Sequence, residues 1–181
     1  MQGMTETTEI AARRAPRARL FGPHVRTGSV CDLTADRLVE MNVDAVLVDV
    51  DCTLKAYRDD DVSIEVAAWL VALRDAGIKV CIVSNGHGCR IEKLAKVLEL
   101  PHVAMALKPL PFGLRRAMKL IGADPRRTAM VGDQLFADVL AGRLAGLRTV
   151  MVTAISPEQE PWPTQLKRLP ERWLMRWLEP K

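Results

Sequence analysis

Two aspartates two residues apart, Asp49 and Asp51, close an apolar run from Ala45 to Val48, and Thr53 follows them. Like charges at this spacing are costly unless a cation or a shared proton relieves them. A divalent metal serving chemistry on a phosphate is reason enough to keep them. Three further polar signals follow later apolar runs: Ser84-Asn85 after "KVCIV", Lys108-Pro109 after "HVAMAL", and "GDQLFAD", which carries Asp133 and Asp138. Together they offer carboxylates for a hard cation, hydroxyl and amide donors for phosphate oxygens, and one ammonium. Mg²⁺ takes oxygen ligands and keeps several waters, so two carboxylates, a main-chain carbonyl and a substrate oxygen are enough to hold it.

Each residue taken alone has a plainer reading. Aspartates at strand ends often cap helices, Ser84 and Asn85 could build a turn, and Lys108 could be a surface lysine before a proline. Asp138 divides evenly between a supporting place in a site and a helix cap. His87 and His102 are explained by a loop and a helix-strand turn, and neither is assigned a role. Cys52 is expected to point away from the two aspartates and to pack. Recurrence of the signals in one edge of a sheet is what gives them weight.

The elements around them predict that edge. Apolar runs at Ala45 to Val48, Lys79 to Asn85, Val103 to Leu107, Thr128 to Asp133 and Leu147 to Thr153 read as strands, and helical periodicities separate them. The helix through Ile64 to Leu73 ends at Gly77, the next stops at Pro101, another follows Pro111, and the last spans about Ala137 to Leu144. An earlier short helix is capped by Asp32 or Thr34. Alternation of this kind implies an α/β fold with a five-stranded parallel sheet covered on both faces. Right-handed crossovers then bring every strand's C-terminal end to one edge, where open α/β sheets bind ligands.

The ordered motifs resemble those of the haloacid dehalogenase-like hydrolases: "DVDCT", "SNG", "KP" and "GDQLFAD" stand where that family has its four. The resemblance implies a three-layer, Rossmann-like core and a Mg²⁺-dependent phosphatase. Asp49 would be the nucleophile and Asp51 the acid and base, while Thr53 would steady the loop beside the phosphate. Ser84, Asn85 and Lys108 would bind the phosphoryl group. Asp49, Asp133 and the Asp51 carbonyl would hold the metal, with Asp138 supporting. More closely, the chain is similar to the YqeG-type branch of subfamily IIIA, from "DLTADRLVEMNVDAVLVDVDCTL" through "GDQLFADVLAG"; Cys52 replaces an asparagine common there. Phosphatidylglycerophosphate phosphatases share this organisation, which makes that lipid the best single substrate expectation.

Members of the family often carry a cap domain. Here only 30 residues lie between Thr53 and Ser84, and 22 between Asn85 and Lys108. A helix and a strand fill each interval, so no cap is expected, and the substrate should be large or membrane-presented. Residues 1–25 read as a disordered basic arm, 26–160 as a capless phosphatase domain and 161–181 as an amphipathic helix. In that helix Leu166, Leu169, Trp173 and Trp177 share a face opposite Arg168, Arg172 and Arg176. It either packs on the sheet or lies on an anionic membrane.

Composition sets the remaining bounds. Of 181 residues 49% are hydrophobic and 27% charged, as in a folded globular chain. The net charge of +4 and pI near 9.0 favour anionic partners, and the absence of a nucleic-acid motif argues against specific nucleic-acid binding. Four cysteines without a C-x-x-C pair suggest reduced thiols, and a cytoplasmic chain, peripheral to a membrane if its tails dock there, is expected. The competing functions are a capless phosphatase for phosphoprotein, nucleotide or nucleic-acid-end phosphates, and a receiver-like phospho-accepting domain. The latter needs an acidic residue at the third strand end, where this chain has Lys108.

Overall fold

In the computed structural model the described residues are 22–160 and Trp162. The first element is a short strand β1 (Val25–Thr27), followed by a 3-10 turn (Val30–Asp32) and helix α1 (Ala35–Glu40). Strand β2 (Ala45–Val48) leads through a long loop to α2 (Ile64–Asp75) and β3 (Lys79–Val83). Then come α3 (Gly88–Val97), β4 (His102–Val103), α4 (Phe112–Ile121), β5 (Thr128–Gly132), a π turn (Leu135–Val139), α5 (Leu140–Ala145) and β6 (Arg148–Val152).

All six strands are parallel and lie in the order β1-β6-β5-β2-β3-β4. The pleat sends alternate residues to opposite faces. Val46, Val48, Val80 and Ile82 join Leu70, Leu73 and Ile91 of α2 and α3 on one side. Leu47, Cys81, Val83 and Met130 meet Leu114, Ala117 and Ala141 of α4 and α5 on the other. This is the expected three-layer α/β core, and no cap interrupts it among the described residues.

Three details differ from expectation. The sheet has six strands, because β1, which straddles the expected boundary at residue 25 between the arm and the domain, pairs with β6. At three residues β1 is too short to announce itself by alternation. The third expected strand stops at Val103, since Met105 and Leu107 adopt left-handed backbone (φ 49° and 57°) that breaks an extended run. Cys52 is buried but sits in a turn at φ 60°, not on a strand; asparagine tolerates that region better than most residues, which fits its frequency in the resembling branch. Apart from Trp162, the expected helix over 161–181 lies outside the described residues, as does most of the N-terminal arm.

β1 is fastened by its flank. The Thr149 amide donates to His24 Nδ1 (2.9 Å), the His24 amide donates to the Thr149 carbonyl (2.9 Å), and Arg143 Nη1 stands 2.7 Å from Nε2. Burial, with Arg143 and Arg148 adding to it, lowers the His24 pKa from 6.5 to about 4. The unfolded chain therefore binds this proton at a higher pH than the folded one. His24's contribution to stability is complete above pH 6.5 and declines as pH falls toward 4. His24→Gln should lessen the loss of stability over that interval, read from urea midpoints at its two ends; an unchanged loss would exclude His24 as its source.

Candidate active site

The C-terminal ends of β2, β3 and β5 converge as the topology requires. Asp49 follows β2, Ser84 and Asn85 follow β3, and Asp133 follows β5, while Lys108 comes from the loop after β4. Asp49, Asp51, Ser84, Asn85, Lys108 and Asp138 all line one cavity of about 620 Å³. Thr53 and Asp133 lie behind that wall, both buried.

Lys108 is the hub. Its buried Nζ donates to Asp49 Oδ1 (2.5 Å), Asp138 Oδ1 (2.6 Å) and the Val83 carbonyl (2.9 Å). An ammonium has three donors, and all three are used. Burial alone would lower its pKa, but Asp138 and Asp49 more than offset that and hold the amine charged. Burial raises Asp49 to about 8, opposed by Lys108 and assisted by Asp138 and Asp133. Burial is the largest influence on both groups, and the carboxylates crowded around one ammonium push both pKa values upward.

The remaining groups have more particular tasks than the sequence alone suggested. The Asn85 side chain is committed to the Lys108 backbone: its Nδ2 donates to the Lys108 carbonyl (2.9 Å), and its Oδ1 accepts from the Lys108 amide (2.8 Å). It clamps the lysine loop with one of its two amide protons, while the residue also lines the cavity. Thr53 Oγ1 likewise donates to Asp133 Oδ1 (2.9 Å), so its hydroxyl orients that carboxylate. Ser84 Oγ lies in the cavity wall and accepts from the Gly86 amide (3.0 Å), which leaves its proton for an incoming oxygen. Asp138 Oδ2 accepts from the Gln134 amide (3.0 Å), so Asp138 supports the site through Lys108. A Cβ on Gly132 would lie 2.3 Å from Asp138 Cγ, which is why β5 ends in glycine.

Arg90 escaped the sequence reading. From the first turn of α3 its guanidinium grips Asp51: Nη1 donates to Oδ2 (3.1 Å) and Nη2 to Oδ1. Nη2 also reaches the Tyr57 carbonyl (3.1 Å), and the guanidinium lies 5.2 Å from the Tyr57 ring centre. The only sequence hint was a lone arginine on the helix after "SNG". His87, which was assigned no role, also lines the cavity, as do Gln134 and Glu160.

Carboxylate oxygens of Asp49, Asp133 and Asp138 lie within 4.8 Å of one another. The Asp51 side chain is not among them, being turned to Arg90; the expected metal contribution of Asp51 was its main-chain carbonyl. Three carboxylates and one ammonium, all ionised, leave two negative charges, which one divalent cation balances. Hard oxygen donors fit such an ion.

Comparison with known proteins agrees with this geometry. The model of the family described as haloacid dehalogenase-like hydrolase matches residues 8–146. The chain belongs to that family. It is 28% identical to the "Probable phosphatase YqeG" of Bacillus subtilis over 163 residues, which cover 90% of this chain and 94% of that protein. It is 34% identical over 97 residues to the phosphoserine phosphatase of Thermus thermophilus, covering 49% of this chain but only 39% of that longer enzyme. A cobalt-bound deoxy-D-mannose-octulosonate 8-phosphate phosphatase from Haemophilus influenzae shares the fold, with a TM-score of 0.52 at 21% identity, over 65% of this chain and 72% of that one. The chain is therefore an enzyme of the hydrolase class.

Lys108→Met would leave its buried carboxylates without their ammonium. Removing one partner of a buried ionic group costs about 3–5 kcal/mol. Chemical denaturation of the metal-free protein should show a loss of that order; stability equal to the parent's would contradict the charge accounting.

Proposed function

We propose that this hydrolase is a Mg²⁺-dependent phosphomonoesterase that works through an aspartyl-phosphate on Asp49, with phosphatidylglycerophosphate as its substrate. The observation that carries the reaction type is the Lys108 ammonium seated directly on the Asp49 carboxylate, at the floor of a cavity whose wall also holds Asp51 and Ser84.

An Asp49 carboxylate oxygen attacks phosphorus, and the bond from phosphorus to the leaving oxygen breaks. Asp51, with one oxygen released from the Arg90 fork and carrying a proton, gives it to that oxygen and so releases the alcohol. The Asp51 carboxylate then takes a proton from water, whose oxygen attacks the acyl phosphate. Inorganic phosphate leaves, and Asp49 and protonated Asp51 are restored. Lys108 and the Ser84 hydroxyl stabilise charge on the phosphoryl oxygens, electrostatic work that dominates phosphoryl transfer. Asp49, Asp133 and the Asp51 carbonyl would hold Mg²⁺, which supplies further positive charge against those oxygens. Arg90 is a positioning residue: its fork sets the direction of the Asp51 carboxylate.

The lipid reading is supported by the capless, open cavity, by the basic pI and by similarity to the YqeG-type phosphatase over nearly the whole chain. A small metabolite would need a lid to exclude water; a head group held at a bilayer does not.

Phosphate release from p-nitrophenyl phosphate should require a divalent cation, restored by Mg²⁺ after chelation, and should vanish in Asp49→Asn. Asp51→Asn should lose roughly 10²- to 10⁴-fold. Arg90→Gln should reduce kcat more on alkyl phosphates, whose leaving oxygen needs the Asp51 proton, than on p-nitrophenyl phosphate; equal losses would remove Arg90 from that role. In a screen of phospholipids, nucleotides and phosphopeptides, phosphatidylglycerophosphate should have the highest kcat/KM. Preference for a nucleotide or phosphopeptide would overturn the substrate and leave the reaction type standing.

A further inference from the structure

Six of the twelve large apolar side chains exposed among the described residues belong to two segments that each carry a cavity-lining residue, Lys108 in one and Glu160 in the other. Met105 (66% exposed), Leu107 (64%) and Leu110 stand close to Lys108 in sequence on the β4–α4 connection, and Phe112 (63%) opens α4. Ile155 and Trp162 (74% exposed) flank Glu160, which lines the cavity after β6. In the sheet order β4 and β6 lie on opposite sides of the central β2–β5 pair, so the two segments stand on either side of the opening. Isolated exposed apolar residues need no explanation, but a collar of them around a polar site does.

We infer that this collar is a docking surface for an anionic phospholipid bilayer, on which the enzyme rests with its cavity facing the head groups. The inference rests on the phosphatase reading of the site and adds the face through which substrate arrives. Met105 and Leu107 hold left-handed backbone, a conformation that bulky side chains ordinarily avoid, and both side chains are directed into solvent. Strain that exposes apolar groups is retained where it serves a function. Immediately behind the apolar tips, Arg115 and Arg116 are exposed on the first turns of α4, and neither meets a carboxylate among the described residues. Apolar tips backed by free cations are the pattern of an interfacial segment, the apolar part entering the head-group region and the cations pairing with lipid phosphate.

A second copy of the chain or a folded protein seated on the collar would stopper a cavity of about 620 Å³ with the catalytic groups at its floor. A bilayer covers the same collar and delivers phosphate esters into it. It also excludes bulk water from the mouth, which the missing cap cannot do. Apart from Trp162, this surface lies outside the 161–181 segment, whose membrane contact the sequence left open.

The test uses the full chain and vesicles of phosphatidylcholine with or without phosphatidylglycerol. The enzyme should co-sediment with the anionic vesicles and much less with the neutral ones. Combined Met105→Gln, Leu107→Gln and Phe112→Gln substitutions should weaken that binding by about tenfold or more, with p-nitrophenyl phosphate turnover unchanged. Arg115→Glu with Arg116→Glu, on an exposed helix face, should weaken binding to anionic vesicles by at least about tenfold and spare soluble turnover. Wild-type binding that neither variant reduces would overturn the proposal, as would a dimer in gel filtration that the collar substitutions dissolve. Collar-dependent binding without hydrolysis of phosphatidylglycerophosphate would uphold the docking face and reject the lipid substrate, so the two readings fail separately.

Discussion

One nitrogen atom ties the site to the fold. Lys108 Nζ is buried, spends its three protons on Asp49, Asp138 and the Val83 carbonyl, and so joins the ends of β2 and β3 to the turn after β5. None of those strands is adjacent to Lys108 in sequence. A buried ammonium must find such partners or lose its proton, so the β4–α4 loop can close in few ways. The Asn85 clamp on the Lys108 backbone and the side-chain-free Gly132 beneath Asp138 are accommodations to that requirement.

The same cluster sets what the site can accept. With more carboxylate than ammonium, the pocket favours added positive charge, and burial pushes the Asp49 pKa up when no cation is supplied. A divalent cation and a phosphate dianion arriving together would leave the net charge of the cluster unaltered. Asp51 stands apart from this balance, since its side chain pairs with Arg90, which Tyr57 holds in turn. Nucleophilic and proton-moving roles, as proposed, would thus fall to two aspartates with different electrostatic partners.

Much of this was legible before the structure. Apolar runs such as "AVLV" and "TAMVG" read as buried parallel strands, and the polar signals that follow four of the five expected strands mark the working edge. Other features were written in contacts that no local pattern reveals. β1 is three residues long and is held by His24, whose partner Thr149 is 125 residues away. Arg90 sits on a helix face that looks merely solvated until the fold brings Asp51 to it. Asn85 and Thr53 were legible as site residues, but their hydrogen bonds turn them toward Lys108 and Asp133, tasks that only long-range geometry could assign. The truncated β4 follows from two left-handed residues whose side chains, methionine and leucine, give no hint of that conformation.

The proposed mechanism stands or falls on where the phosphoryl group is held between attack and release. Rapid quenching of the Asp51→Asn enzyme during turnover of p-nitrophenyl phosphate, followed by borohydride reduction and peptide mass spectrometry, identifies an acyl phosphate by the homoserine it leaves. Reduction product at position 49, absent in Asp49→Asn, is the predicted result. Turnover that leaves no modified aspartate, or one at position 133 or 138, would contradict the account.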